Sequence, residues 1–113
     1  MLLAEGSGPL RALMREMLGE ECTVVAEAAD GDEAVALFAR ERPDAVVMDV
    51  RMPGCDGIEA TAAIKSIDPD AAVLVCTAAG EAEAERATAV GADGHLAKPF
   101  QKPQLLSALQ RAR

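Results

Sequence analysis

Apolar residues along this chain fall into two alternating patterns. Short unbroken runs such as Val46-Val47-Met48 read as strands covered on both faces. Between such runs, apolar positions recur at helical spacing. Leu10, Leu13, Met14, Met17 and Leu18 form one stripe, with Arg11, Arg15 and Glu16 on the other side. Val35, Phe38 and Ala39 form a second, and Leu105, Leu106 and Leu109 a third. The pattern predicts strands over residues 2–4, 22–28, 44–49, 71–77 and 95–97. Each is followed by a helix, of which those over 58–67 and 81–90 are Ala-rich. Stop and start signals agree. Gly19 closes the first helix. Asp30 with Glu33 suits a capping box before the second, and Pro43 ends it. Asp68-Pro69-Asp70 breaks the third, and Gly91 closes the fourth.

Five strand–helix units in strict alternation imply a parallel sheet with right-handed crossovers and helices on both faces. Five units are too few for an eight-stranded barrel. The expected architecture is therefore an open, doubly wound α/β sheet. The 113 residues suffice for one domain, spanning 1–113. With no Trp or Tyr and only two Phe, its core is built from Ala, Val, Leu, Ile and Met.

A net charge of −8 argues against direct nucleic-acid contact, which needs clustered Lys and Arg. Cys22, Cys55 and Cys76 are odd in number and lack Cys-x-x-Cys spacing. They read as buried free thiols in a reducing compartment. No apolar stretch approaches the roughly 20 residues of a membrane span, and the N-terminus has no signal-type segment. A cytoplasmic location without membrane contact is expected.

Open parallel sheets bind ligands at the carboxyl ends of their strands. Glu5 follows the first strand there, Asp49 ends the third, Thr77 the fourth, and Lys98 follows the fifth. Pro53-Gly54 forces a turn after Asp49, so its carboxylate is expected on a rigid element yet open to solvent. The four types are complementary. A carboxylate attacks phosphorus to form an acyl phosphate. A lysine pairs first with the carboxylate and then with phosphoryl oxygens. A hydroxyl donates to one such oxygen, and a hard divalent cation offsets charge.

These residues sit in three motifs that together resemble the response-regulator receiver family of two-component signalling, along the whole chain. Residues 48–57, Met-Asp-Val-Arg-Met-Pro-Gly-Cys-Asp-Gly, resemble its phosphorylation loop. Val75-Cys76-Thr77-Ala78 is similar to its fourth-strand switch motif, and residues 91–100, ending Lys98-Pro99-Phe100, to its lysine motif. The resemblance implies a flavodoxin-like sheet of order 2-1-3-4-5, as in chemotaxis regulators. It implies Asp49 as phosphoacceptor, Thr77 as switch hydroxyl, Lys98 as phosphoryl-sensing cation and His95 at the aromatic-switch position. It further implies Mg²⁺ held by Glu5, Asp49 and the Arg51 backbone carbonyl, and a cis Lys98–Pro99 bond. The implied role is a phosphorelay switch rather than a turnover enzyme. Its partners would be a sensor histidine kinase or phosphotransfer protein and a downstream effector. Dimerisation through the output face is a family habit that these residues neither demand nor exclude.

One departure stands out. The family carries two adjacent acids after the first strand, and here those positions are Glu5 and Gly6. Gly6 offers no ligand, so weak Mg²⁺ binding is expected. A pseudo-receiver, acting as a constitutive interaction module, is the alternative reading. An Asp-x-Asp phosphatase is disfavoured because Asp49-Val50-Arg51 lacks the second carboxylate. Residues 6–9, Gly-Ser-Gly-Pro, lack the P-loop ending and read as a turn into a helix started by Pro9. Nor do they supply the Ser/Thr-rich phosphate loop of a flavin-binding domain. Asp56 reads as a helix cap, and Asp30 and Asp32 as helix-start residues. Glu81, Glu83, Glu85 and Arg86 read as a solvated helix face. His95 could equally be a partly buried packing residue. Arg51 and Ala79 flank the expected path of hydrolytic water.

Overall fold

In the computed structural model, which describes residues 1–78 and 80–113, strands and helices alternate from end to end. The order is β1 (Leu2–Ala4), α1 (Gly8–Leu18), β2 (Ala26–Ala28), α2 (Gly31–Glu41), β3 (Ala45–Asp49), α3 (Gly57–Ile67), β4 (Ala72–Thr77), α4 (Glu81–Ala89), β5 (Gly94–Ala97) and α5 (Lys102–Ala112). The strands form one five-stranded sheet in the order β2-β1-β3-β4-β5, and every pairing is parallel. Both the doubly wound architecture and the strand order match the expectation from sequence. Position 79 lies outside the described residues.

Strand periodicity splits the core into two layers. Leu2, Ala4, Val46, Met48, Val73 and Val75 pack with Ala34 and Phe38 of α2, Ile64 of α3 and Ala87 of α4. The alternate positions Leu3, Val47, Leu74 and Cys76 pack with Met14 and Leu18 of α1 and with Leu105 and Leu109 of α5. Burying one such Leu, Ile or Met side chain stabilises the fold by roughly 1.5–3 kcal/mol. These two layers therefore hold the rim of the sheet in place. They are built from aliphatic side chains, as the composition requires.

Several local expectations are corrected. The second strand is only three residues long, and Cys22 lies outside it. Its partner β1 begins at Leu2, so residues before Ala26 meet no strand. The Val25 N–H instead donates to the Met1 carbonyl, and the terminal ammonium to the Thr23 carbonyl. Ala39 is exposed, because the buried stripe of α2 runs through Ala34 and Phe38. Leu13 is 46% exposed on α1. Asp30 caps α2 through the Glu33 N–H, but the Glu33 carboxylate reaches back to the Ala29 N–H rather than to residue 30. Asp56 forms the full capping box with Glu59 at α3. The three cysteines are free, and only Cys76 is buried.

The loop after Asp49 is fixed by two glycines. Gly54 takes φ +71°, the left-handed value that the Pro53-Gly54 turn requires. At Gly57 the first turn of α3 presses on the Asp49 backbone. A Cβ there would fall 1.9 Å from the Asp49 carbonyl oxygen. We expect Gly57→Ala to lower stability by about 1–3 kcal/mol, the usual scale of overpacking. The measurement is the urea midpoint at unchanged slope. A wild-type midpoint would show that this close approach does not fix the loop.

Candidate functional site

Parallel register lines up the carboxyl ends of four strands. Ala4 pairs with Met48, so Glu5 stands level with Asp49. Asp49 pairs with Cys76, and Thr77 follows. Thr77 pairs with Ala97, and Lys98 follows, its N–H donating to the Thr77 carbonyl at 2.8 Å. Residues 93 positions apart in sequence thus meet at one rim. Lys98 Nζ donates to Glu5 Oε1 at 2.7 Å and to Asp49 Oδ1 at 2.9 Å. The Lys98–Pro99 peptide is cis, as the resemblance implied.

The site is drier than its loop position suggests. Asp49 was expected open to solvent, yet it is 4% exposed. The Lys98 side chain bonds to it, and Glu5 and Thr77 at the same rim are equally buried. Burial is the largest influence on Glu5 and pushes its carboxyl above the usual 4.5. Bonds from Lys98 and the Ser7 N–H offset part of that rise, and the adjacent Asp49 carboxylate adds to it. At Lys98, burial works against the ammonium. The two carboxylates outweigh it, so the amine holds its proton above the ordinary 10.5. Cys76, beneath the rim, is pushed up to about 12 by burial and is inert as a nucleophile at neutral pH.

Other supports come from α1 and the loops. Arg11 Nη1 donates to the Glu5 carbonyl at 2.8 Å, and its Nε lies 3.2 Å from Glu27 Oε1, which ties the turn after β1 to β2. The Arg51 carbonyl faces the same turn, 3.5 Å from where a Cβ on Gly6 would sit. The donor set of Glu5, Asp49 and this carbonyl is all oxygen and suits a hard cation. It is short by one side chain, because Gly6 contributes none. No group of three His, Cys, Asp or Glu among the described residues is arranged to hold a metal.

His95 sits elsewhere. It is exposed on β5 and pairs in register with Val75. It lines an open depression of about 580 Å³ with Glu81, Ala84, Glu85, Thr88 and Ala89 of α4. Reading it as a partly buried packing residue does not fit that position.

Sequence reasoning missed Glu83. It is not on a solvated face but 7% exposed. Its carboxylate accepts from the Ala78 N–H at 2.9 Å and from Arg51 Nε at 3.2 Å. Arg86, one turn on, lies 3.5 Å from Asp56. The sequence carried no clear signal for this: Glu83 shares a helix face with Ala87, four residues on, which the structure buries, but alanine by itself favours neither face.

Comparison with known proteins agrees with this geometry. The family model for the response regulator receiver domain matches residues 1–110. A chemotaxis protein CheY of Halobacterium salinarum is 44% identical over 110 residues, covering 96% of this chain and 92% of that protein. The transcriptional regulatory protein PdtaR of Mycobacterium tuberculosis is 42% identical over 116 residues, 99% of this chain but 55% of its own length. The solved structure of Vibrio cholerae chemotaxis protein CheY4 superposes with a TM-score of 0.90 at 32% identity, covering 99% and 96% of the two chains.

The raised Glu5 carboxyl has a consequence for stability. Its protonated form favours the folded state. That contribution is complete below 4.5 and is lost as pH rises through the higher folded value. We expect Glu5→Gln to gain stability relative to wild type as pH rises through this window, read from urea midpoints over a pH series. A difference that stays flat, or shrinks with rising pH, would count against a burial-dominated Glu5.

Proposed function

This chain belongs to the response-regulator receiver family, and we propose that Asp49 is its phosphoacceptor. The observation that carries this reading is the Lys98 bridge to Glu5 and Asp49 at the carboxyl rim of the sheet. An Asp49 oxygen attacks the phosphorus of a phosphohistidine. The P–N bond breaks as the O–P bond forms. Lys98 passes from the carboxylate to the phosphoryl oxygens, and the Thr77 hydroxyl donates to another. Thr77 and His95 lie two residues beyond and directly opposite Val75, which supports a shared switch in which movement at one is felt at the other. Residues 1–113 act as one receiver unit.

Mg²⁺ fits the oxygen donors Glu5, Asp49 and the Arg51 carbonyl, and when bound it supplies charge neutralisation at the phosphoryl oxygens. With Gly6 supplying no side-chain ligand, a bound ion would have to keep water in that place, which lowers affinity. The donor protein is a sensor histidine kinase or phosphotransfer protein. An apolar groove lined by Leu10, Leu13, Met17, Pro99 and Phe100 adjoins Lys98 and supports a protein donor approaching from that side. The module is a switch, not a turnover enzyme, and hands its state to a downstream effector. No helix among the described residues is long and apolar enough to cross a membrane. The reading places the chain in the cytoplasm.

The pseudo-receiver reading draws on one observation: both carboxylates already serve Lys98, and Gly6 adds nothing. Incubation with a small acyl phosphate and Mg²⁺, followed by intact mass, separates the two. We expect an adduct in wild type that is absent in Asp49→Asn. No adduct at saturating Mg²⁺ would favour the constitutive module.

Position 6 supplies a second test. The nearest atoms to a Cβ there are the Arg51 carbonyl, the Ala29 carbonyl and Met52 Cγ, at 3.5–3.7 Å, which are ordinary contacts. We expect Gly6→Asp to fold normally and bind Mg²⁺ about tenfold tighter or more, since loss of even an outer-shell partner typically changes metal affinity by about 10–100-fold. Its phosphoryl uptake should saturate at correspondingly lower Mg²⁺. Unchanged Mg²⁺ dependence would mean that position 6 does not face the cation.

A further inference from the structure

The proposed mechanism leaves one buried acid unused. Glu83, on α4, counts among its hydrogen-bond donors two groups that belong to the mouth of the Asp49 site. One is the backbone N–H of Ala78, the residue after Thr77. The other is Arg51, two residues past Asp49. Both are the sort of donor that an arriving phosphoryl group attracts. We propose that Glu83 is a resting-state counter-anion of the phosphorylation site. It holds the Ala78 N–H and the Arg51 guanidinium until phosphoryl oxygens compete for them. It thereby limits phosphoryl capture and carries the event to α4. This inference rests on Asp49 being the phosphoacceptor.

The geometry favours exchange over a permanent tie. The Arg51 side chain is 66% exposed, and its contact to Glu83 is a single bond of 3.2 Å. Such a pair is weak and screened, so a doubly charged competitor a few residues away can draw the guanidinium off. A second pair crosses the same gap in the opposite sense, from Arg86 on α4 to Asp56 at the start of α3. Together the two pairs clip the loop after Asp49 to α4. The helix itself is poorly anchored. Its N-cap is Gly80, with no side-chain cap bond, and besides Glu83 it buries only Ala84 and Ala87. Once Arg51 and Ala78 turn to the phosphoryl group, Glu83 is left as a buried carboxylate with fewer donors. That favours its movement toward water, and α4 moves with it. The depression beside His95 is lined by this helix, so the release reaches that surface.

A plain helix-start role is the competing account, and the test separates them. Glu83→Gln keeps an acceptor for the Ala78 N–H but removes the charge that holds Arg51. Phosphoryl uptake from a small acyl phosphate with Mg²⁺ is timed by intact mass in wild type, Glu83→Gln, Arg51→Ala and the double variant. We expect Glu83→Gln to be roughly threefold faster or more, within the range of couplings between contacting charges, and the gain to vanish without Arg51. Amide hydrogen exchange over residues 81–89 should rise when wild type is phosphorylated, a readout that needs no variant to fold. A Glu83→Gln rate equal to wild type, a gain that survives Arg51→Ala, or α4 exchange unmoved by phosphorylation would each overturn the counter-anion. Those results leave Asp49 as acceptor intact. A wild type that forms no Asp49-dependent adduct overturns both.

Discussion

A single ammonium, Lys98 Nζ, lies within hydrogen-bond distance of two buried carboxylates, Glu5 and Asp49, and the rim of the sheet is organised around that bridge. Two carboxylates this close and this dry repel each other and lose hydration. One shared cation makes the arrangement tenable. Burial above all, with the neighbouring Asp49 carboxylate adding to it, pushes the Glu5 carboxyl up, while the two carboxylates make Lys98 grip its proton. The site is therefore poised for more positive charge from a cation, and a phosphate-sized anion must find donors besides Lys98.

Backbone register gives the bridge its precision. Parallel pairing from β2 through β5 brings the strand ends level. Two aliphatic layers lock the strands from either face. Gly57 lets α3 sit directly on the Asp49 carbonyl, so the carboxylate rests on a backbone that has little room to move. The more yielding part lies on the other side of the site, where α4 presents small residues, a single buried acid and two crossed ion pairs to the loop. A rigid acceptor beside a loosely held helix is the arrangement a switch requires: the chemistry needs fixed geometry, and the response needs an equilibrium that small energies can bias.

Much of this was legible in the order of residues. The alternation of apolar runs and helical stripes specified five strand–helix units. Pro53-Gly54, Asp56 and Gly19 marked a turn, a cap and a stop, and all three function so. Glu5, Asp49, Thr77 and Lys98 were picked out as strand-end groups because a parallel sheet leaves them nowhere else to be. The errors have a common origin. Asp49 read as open because a loop follows it, whereas its cover arrives from a lysine 49 positions away. Glu83 read as solvated because its neighbours Glu81 and Glu85 are, although it shares a face with Ala87. Ala39 read as buried because alanine is neutral evidence on either face of a helix.

Local sequence determined the elements, their caps and the identity of the groups at the strand ends, since hydrogen bonding within a turn and side-chain periodicity act over a few residues. Tertiary structure alone decided how far water reaches each group, which acid lies under which cation, and that α4 turns Glu83 toward Ala78 and Arg51. Burial and charge pairing are properties of distant segments brought together, and they exist only once the sheet has closed its register.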